Sequence, residues 1–353
     1  MEWTIDNVFD AIAETGASDV ILAPGAPPAL WVAGRMRRLP ERPLAGEDVE
    51  RIFMPLLTDE QARRLDECGD VDFSIGRAGL GRLRINVHRQ RGSLSAATRF
   101  IPHDVPAFET LGLPQRVLDF ARLPRGMVLV TGGAASGKST TLAALIHFIN
   151  RHYAYHVITL EDPIEYIFSH GESVIEQREI GVDASSFPSA LRHIVRQRPD
   201  VVLIGEMRDL ETIGTALTAA ETGHLVLATL HTTSAVQTID RIIDIFPAAQ
   251  QSQVRVQIAS ALQGVVCQML FHDEAAEGMV PAAEIMVCSA PIRRAIRDGE
   301  THLLQGMIET GQALGMRSMD SAISALVKAG RVTFDAAVAG AHDAEKMKRL
   351  LVA

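Results

Sequence analysis

The stretch MVLVTGGAASGKS, residues 127–139, decides the fold. Met127–Thr131 is an apolar run that predicts a strand covered on both faces of a sheet. Gly132–Ser139 matches the pattern G-x-x-x-x-G-K-[ST], and Thr140–Asn150 predicts a helix directly after it. Because such a loop turns backbone N–H groups inward at a helix N-terminus, it predicts a site for a triphosphate.

Two side chains of this loop match the chemistry of a bound nucleotide. Lys138 would reach the β- and γ-phosphates, and the hydroxyl of Ser139 would bind Mg²⁺. A chance match in a Gly-rich turn is the alternative. The strand before the loop and the helix after it are the context that the motif requires, so the nucleotide site is favoured.

The chain around the loop alternates between strands and helices. Further apolar strands are predicted at Val157–Leu160, Val201–Ile204 and Leu225–Thr229, with helices at Phe187–Val195 and Leu210–Thr222. Alternation of this kind predicts the α/β class with a mainly parallel sheet.

The regions on either side of this core have other patterns. The first hundred residues read as a mixed α/β module, with a helix at Asp6–Thr15 and a strictly alternating strand at Gly81–His88. The Pro-punctuated segment Ile101–Pro114 is interpreted as a linker. Beyond Ala290 the chain is predicted to be helical. The expected domains are 1–100, a linker at 101–114, a core at 115–289 and a helical region at 290–353.

Acidic residues follow two of the predicted strands. Glu161 and Asp162 come after the second strand, and Glu206 comes after the third. Ligands of open α/β sheets bind beyond the carboxyl ends of the strands, so both groups can converge on the phosphates. We expect Glu206 to orient or deprotonate the attacking water, and Glu161 with Asp162 to hold Mg²⁺ through its water shell. Asp209 is expected to be only a helix cap, and Glu165 a solvated loop charge.

Two histidines bracket the strand Leu225–Thr229. His231 lies at its carboxyl end and is predicted to sense the γ-phosphate. His224 lies at the other end, where a functional and a packing role are equally open. A zinc site is not expected, because no third ligand lies at a suitable spacing.

Five arginines crowd the end of the first module: Arg82, Arg84, Arg89, Arg91 and Arg99. A solvated strand face explains most of them. One or two could instead act as arginine fingers, which stabilise charge on a transferring phosphoryl group.

Composition narrows the function classes. Among 353 residues, 43 are acidic and 34 basic, and only 5% are aromatic, which disfavours a nucleic-acid partner. The 47% hydrophobic content argues against disorder, and three scattered cysteines fit a reducing compartment. With no apolar run long enough to span a bilayer and no signal pattern, a soluble intracellular protein without direct membrane insertion is expected.

Five ordered strings resemble those of the type IV pilus retraction ATPases (the PilT family) within the secretion ATPase superfamily. They are TGGAASGKSTTLAALI, ITLEDPIEY, EQREIG, PDVVLIGEMRDLETI and AAETGHLVLATLHTT, and the likeness extends over nearly the whole chain. The resemblance implies a PAS-like N-terminal domain, a RecA-like P-loop core and C-terminal helices. It also implies ATP and Mg²⁺ as ligands, a homohexamer, and pilus retraction at the cytoplasmic face of the inner membrane with a platform protein.

The resemblance also implies roles for individual residues. Glu206 would be the catalytic glutamate, Glu161 and His231 would lie in the family's acidic and histidine motifs, and Arg84 and Arg99 match its arginine fingers best. A retraction motif falls on Pro291–Asp298. The nucleotide-binding segment comprises Gly132, Gly133, Ala134, Ala135, Ser136, Gly137, Lys138, Ser139 and Thr140.

The chain departs from the family pattern at a few positions. Gly133, Ala134 and Ala135 replace Pro-Thr-Gly, Arg198 replaces an acidic residue, and Pro291 replaces Ala in the retraction motif. Ala135 must therefore have a negative φ or tolerate modest strain.

Other functions stay open alongside the retraction motor. One is an accessory retraction paralogue, and another is a nucleotide switch of low activity, which the altered loop would favour. A pilus assembly or type II secretion ATPase is disfavoured, because that group carries a four-cysteine zinc insertion. A nucleic-acid translocase is disfavoured by the acidic balance.

Overall fold

The computed structural model describes residues 3–32, 35–77, 80–102, 105–276, 278–341 and 343–352. The chain divides into two compact units, Met1–Asp104 and Val105–Ala353. Each unit has its own β-sheet and its own hydrophobic core.

The first unit is a six-stranded antiparallel sheet with helices on one face. Its strand order is β3-β2-β1-β6-β5-β4. Its elements are α1 (Ile5–Thr15), β1 (Asp19–Leu22), β2 (Ala29–Val32), β3 (Arg35–Arg38), α2 (Gly46–Phe53), α3 (Asp59–Cys68), β4 (Asp70–Arg77), β5 (Gly81–Gln90) and β6 (Ser93–Pro102), with a 3₁₀ turn at Met54–Leu56.

Alternation along β5 divides the two faces of this sheet. Leu83, Ile85 and Val87 are fully buried in the core with the apolar faces of the helices, whereas the residues between them are half-buried on the opposite face. Helix α1 begins at a Thr4 cap, whose side chain accepts from the N–H of Asn7.

The second unit contains the core and the C-terminal helices. Its elements are α4 (Gln115–Asp119), β7 (Gly126–Thr131), α5 (Lys138–His152), β8 (His156–Glu161), β9 (Val174–Glu179), α6 (Phe187–Ile194), β10 (Val201–Ile204), α7 (Leu210–Glu221), β11 (Leu225–Leu230), α8 (Ala235–Asp244), α9 (Ala248–Ala261), β12 (Leu262–His272), β13 (Met279–Val287), α10 (Ala290–Asp298), α11 (Leu304–Thr310), α12 (Met319–Lys328), α13 (Phe334–Gly340) and α14 (Ala344–Val352). Single 3₁₀ turns lie at Phe108–Leu111, Phe120–Arg122, Thr301–Leu303 and Gln312–Leu314.

Seven strands form the sheet of this unit, in the order β13-β12-β7-β11-β10-β8-β9. All neighbouring pairs are parallel except β12 with β13. Both faces are covered: Met127 and Leu129 of β7 point into one core, and Val128 and Val130 point into the other. The parallel strands therefore end at a common edge, and residues that follow them are brought together there.

The structure confirms the predicted fold class. The parallel-sheet core, the preceding α/β unit and the following helices are all present. Each of the four predicted core strands lies inside an observed strand, and helix α7 begins at the predicted Asp209 cap.

The segment interpreted as a linker carries structure of its own. Ile101 lies within strand β6, which ends at Pro102, and Phe108 is buried in a core of the second unit. The predicted domain limits stay a prediction. Within the described parts of the chain, no helix is both long and apolar enough to cross a membrane.

Candidate active site

A cavity of about 620 Å³ lies at the carboxyl edge of the parallel sheet in the second unit. It is lined by residues 134–140 of the phosphate loop and by residues that follow β8, β10 and β11. The predicted site residues gathered around it are Ala134, Ala135, Ser136, Gly137, Lys138, Ser139, Thr140, Glu161, Asp162, Glu206 and His231. The structure thus brings together the predicted groups of this unit, as the common strand edge requires.

The loop between β7 and α5 has a backbone that only a few residue types adopt. Gly132 has φ +146°, and a Cβ there would lie 2.4 Å from the carbonyl oxygen of Gln268. Gly137, the residue before α5, has φ +85°. Ala135 has φ +56°, so of the two alternatives from the sequence it is the strained one that occurs.

The polar groups of the loop fit a polyphosphate. Lys138 is 8% exposed, and its ammonium donates to the carbonyl oxygens of Gly132 at 3.1 Å and Gly133 at 2.7 Å. Burial lowers the pKa of Lys138, an effect opposed by the charge of Glu206. The buried hydroxyl of Ser136 has no hydrogen-bond partner within the described structure. A buried cation and an unpartnered hydroxyl beside a helix N-terminus suit an anionic ligand.

One carboxylate oxygen of Glu206 contacts two basic side chains. Its Oε1 lies 2.5 Å from Nε of Arg208 and 3.2 Å from Nε2 of His231. Burial alone would raise the pKa of Glu206, but the contacts with Arg208 and His231 outweigh it, so the pKa lies below its ordinary value. The carboxylate is therefore ionised near neutral pH, as a base for water must be.

Glu161 is held more firmly. Its Oε1 accepts from the hydroxyl of Thr159 at 2.6 Å and from the amide of Gln177 at 3.2 Å. Burial raises the pKa of Glu161 against these hydrogen bonds. A nearby cation would favour the ionised form, which fits the predicted role beside Mg²⁺.

Three other acidic residues line the same cavity, Asp162, Asp209 and Glu165, so Glu165 is not only a solvated loop charge. Asp209 accepts from the N–H of Thr212 at 2.8 Å and from its hydroxyl at 2.6 Å, so it is the predicted helix cap, although it also lines the cavity. Asp162 lines the cavity as well. No three His, Cys, Asp or Glu side chains in the described structure are arranged to hold a metal ion.

The two histidines differ in setting. His231 lies in the cavity wall beside Glu206. His224 lies at the opposite end of β11, where its Nδ1 is 2.9 Å from the carbonyl oxygen of Ala219 in the last turns of α7. That contact satisfies a terminal carbonyl of the helix, and His224 does not line the cavity.

The predicted arginine fingers belong to the first unit. Arg84 of β5 and Arg99 of β6 are directly opposite each other, on the sheet face away from the core. Nε of Arg99 lies 2.8 Å from Oδ1 of Asp19. Both arginines line a recess of about 520 Å³, together with Trp31.

Two residues of the cavity wall, Arg208 and Tyr166, and one residue behind it, Gln177, were not predicted as site residues from the sequence. Arg208 contacts Glu206, Gln177 of β9 contacts Glu161, and the hydroxyl of Tyr166 lies 3.0 Å from that of Thr140. Arg208 and Gln177 stand inside the strings GEMRD and EQREIG, so their position in those strings was the available signal.

Comparisons with known proteins agree with this geometry. A family model described as "Type II/IV secretion system protein" matches residues 93–327. The chain is 42% identical over 321 residues to the type IV pilus retraction ATPase PilT of Pseudomonas aeruginosa, covering 91% of this chain and 93% of that protein. It is 41% identical over 320 residues to a twitching motility protein of Neisseria gonorrhoeae, covering 91% and 86%.

A solved structure is similar over the same extent. The crystal structure of the pilus retraction motor PilT with bound ADP matches with a TM-score of 0.92 and 44% identity, covering 99% of this chain and all of that one. One cavity thus combines a P-loop, a glutamate–histidine pair and a further acidic residue. The fold and the relatives of the chain agree with this site on one family. The chain belongs to the type II/IV secretion system family, among the type IV pilus retraction ATPases.

Proposed function

We propose that this protein is a Mg²⁺-dependent, ATP-hydrolysing motor that drives the retraction of type IV pili. One observation carries the proposal: Lys138, Glu206 and His231 surround one cavity at the carboxyl edge of the sheet, in a chain 42% identical to a pilus retraction ATPase. The motor is a homohexamer at the cytoplasmic side of the inner membrane. Its partners are the membrane platform protein and the pilus machinery.

The second unit binds and cleaves ATP with its own side chains. The loop N–H groups and Lys138 hold the β- and γ-phosphates, and Ser139 with Glu161 and Asp162 would hold the cation. Bound Mg²⁺ would neutralise charge on the phosphate oxygens. Glu206 accepts the proton of the attacking water, and His231 keeps its carboxylate aimed and contacts the γ-phosphate.

The first unit supplies the remaining positive charge. Arg84 and Arg99 stabilise the transferring phosphoryl group, and Arg99 leaves Asp19 when it does so. ATP binding excludes water from the site, and hydrolysis reverses this step. This cycle turns chemical energy into movement between subunits.

The decisive experiment compares the steady-state ATPase activity of the wild type with that of Glu206→Gln, with mass photometry on both. We expect a hexameric wild type that hydrolyses ATP, and a variant that assembles and binds ATP with at least about a hundredfold lower kcat. Glu211→Gln is the matched control, because Glu211 pairs with Arg192 at an exposed site on α7.

Other outcomes favour other functions. Equal and low rates in the wild type and Glu206→Gln would indicate a nucleotide switch or an accessory paralogue. In the native host, we expect Glu206→Gln cells to keep surface pili and lose twitching. Loss of the pili themselves would indicate an assembly ATPase.

A further inference from the structure

A row of buried polar side chains crosses three neighbouring strands beneath the cavity. Thr131 ends β7, Cys267 lies opposite it on β12, and Glu284 lies opposite Cys267 on β13. All three residues are 0% exposed. Burying a polar group costs free energy unless it is hydrogen-bonded, so we traced the partners of these three side chains.

The row continues into helix α8 through hydroxyl groups. The hydroxyl of Thr131 donates to Sγ of Cys267 at 3.0 Å. Thr238 of α8 lies beside the same thiol, and its own hydroxyl donates to the carbonyl oxygen of Ser234 at 2.7 Å. Thr232 Oγ1 lies 2.7 Å from Thr238 Oγ1.

The hydrogen bonds of Thr232 and Thr238 have a fixed direction. The hydroxyl proton of Thr238 is used on Ser234, so the hydroxyl of Thr232 must donate to Thr238.

Glu284 contacts helix α8 at its N-terminus. Its Oε1 accepts from the N–H of Ala235 at 2.8 Å, and its Oε2 accepts from that of Met319 at 3.3 Å. These are the first residues of α8 and α12. One buried carboxylate thus accepts from the first N–H groups of two helices.

The two ends of this row of polar side chains lie next to the predicted nucleotide-binding residues. Thr131 directly precedes Gly132 of the phosphate loop, and Thr232 directly follows His231. A shift of α8 therefore displaces Thr232, and with it the histidine that holds Glu206.

We propose that Thr131, Cys267 and Thr238, with Glu284 beneath them, are positioning residues that fix His231 relative to the phosphate loop. The proposal rests on the proposed ATPase function, to which it adds a determinant of turnover outside the cavity. Through Glu284, movement of the C-terminal helix α12 reaches the same segment.

The test measures the kcat and KM of the full-length protein for ATP in Cys267→Ala and Thr238→Val. We expect kcat to fall about five- to twentyfold in each, with KM within about twofold, because the loop itself is unchanged. Cys267→Ser, which keeps one donor and one acceptor, should recover most of kcat. The kcat of the double variant should fall no further than that of the stronger single variant, since both substitutions disturb the same row of contacts.

Cys288→Ala is the matched control. Cys288 is another buried cysteine, it lies beside Arg293, and its substitution should leave kcat unchanged. If Cys267→Ala does not fold, Thr238→Val retains the shape of the side chain and tests the same row of polar contacts.

The proposal is overturned if folded Cys267→Ala and Thr238→Val keep wild-type kcat, if their losses multiply in the double variant, or if Cys288→Ala loses as much. Failure of the proposed function looks different. In that case Glu206→Gln would match the wild type, whatever Cys267→Ala does.

Discussion

At the scale of single residues, Ala135 is where the loop departs most from its family. The resemblance places Gly there, and the left-handed φ of +56° is what Gly adopts without cost. The sequence left two possibilities, because the loop could have rearranged around the Cβ. The structure instead keeps the loop and places the strain in one exposed residue.

Replacing Ala135 by Gly should therefore stabilise the protein slightly. Relief of about 1–2 kcal/mol of left-handed strain exceeds the extra chain entropy of Gly, about 0.5–1 kcal/mol. We expect the thermal unfolding temperature without nucleotide to rise by about 1–3 °C. Ala134→Gly is the control; φ of Ala134 is not positive, so the same change there should lower the temperature. A fall in both variants would contradict the strain at Ala135.

Arg208 contributes to the low pKa of Glu206, the proposed base. The pKa of Glu206 is low because its contacts with Arg208 and His231 outweigh burial. Arg208→Gln removes the first of these contacts, so the pKa of Glu206 should rise. A base with a higher pKa loses its charge at a higher pH, and the acidic limb of kcat/KM should move to higher pH.

A pH profile of ATPase activity for Arg208→Gln beside the wild type measures this shift. Arg192→Gln is the matched control, because Arg192 pairs with Glu211 at the surface. An acidic limb that stays in place, or moves to lower pH, would show that Arg208 does not set the charge of Glu206.

At the scale of elements, sequence predicts strands well where they are bounded by clear signals. β7, β8, β10 and β11 are apolar runs with polar or Gly-rich segments after them, and each was predicted. β12 was not predicted. It begins at Leu262 directly after Ala261, the last residue of α9, with no Gly or Pro between helix and strand. Only pairing with β7 and β13 decides where that helix ends.

Arg293, at the first Arg position of the retraction motif, stabilises that junction. Its guanidinium donates to the carbonyl oxygens of Ala259 at 2.6 Å and Ser260 at 3.0 Å and to Oε1 of Gln263 at 2.9 Å. It thus ties α10 to the last turn of α9 and the start of β12. A sequence motif cannot show this, since the acceptors are some thirty residues away.

Arg293→Gln should lower stability by about 1–3 kcal/mol, because two helix-terminal carbonyls, one of them partly buried, lose a charged donor. Thermal unfolding should show a fall of about 3–8 °C. Arg294→Gln is the neighbouring control: that side chain is 77% exposed and pairs only with Asp298 within the described structure, an interaction of about 0.3–0.5 kcal/mol. Equal effects of the two substitutions would mean that Arg293 has no special role in the fold.

At the scale of the whole molecule, the sequence predicts that the residues of the cavity meet, but it does not predict where the two arginines act. Lys138, Glu161, Glu206 and His231 meet at one cavity because parallel strands end at one edge, which is a rule of the fold. Where Arg84 and Arg99 act depends on how units and chains assemble, and no local pattern encodes that. The roles of all these residues stay predictions until activity is measured.

Mixing two inactive variants decides whether the arginines act between chains. Arg84→Gln retains Glu206, and Glu206→Gln retains Arg84, so each alone should lose most of its ATPase activity. If Arg84 acts on the nucleotide of a neighbour in the ring, an equimolar mixed hexamer contains sites that combine an intact base with an intact arginine. Random assembly gives about a quarter of the sites this composition, so activity should recover to about that fraction of the wild type.

The recovery needs exchange of subunits, so the two variants are mixed unfolded and refolded together, or co-expressed with different tags and purified through both. The control is a mixture of Glu206→Gln with Glu206→Asn, which offers no intact base at any site. No recovery with Arg84→Gln, in hexamers shown to contain both chains, would place the arginine at the nucleotide of its own chain. Each chain would then complete its own site, and coupling around the ring would have to pass through contacts other than the finger.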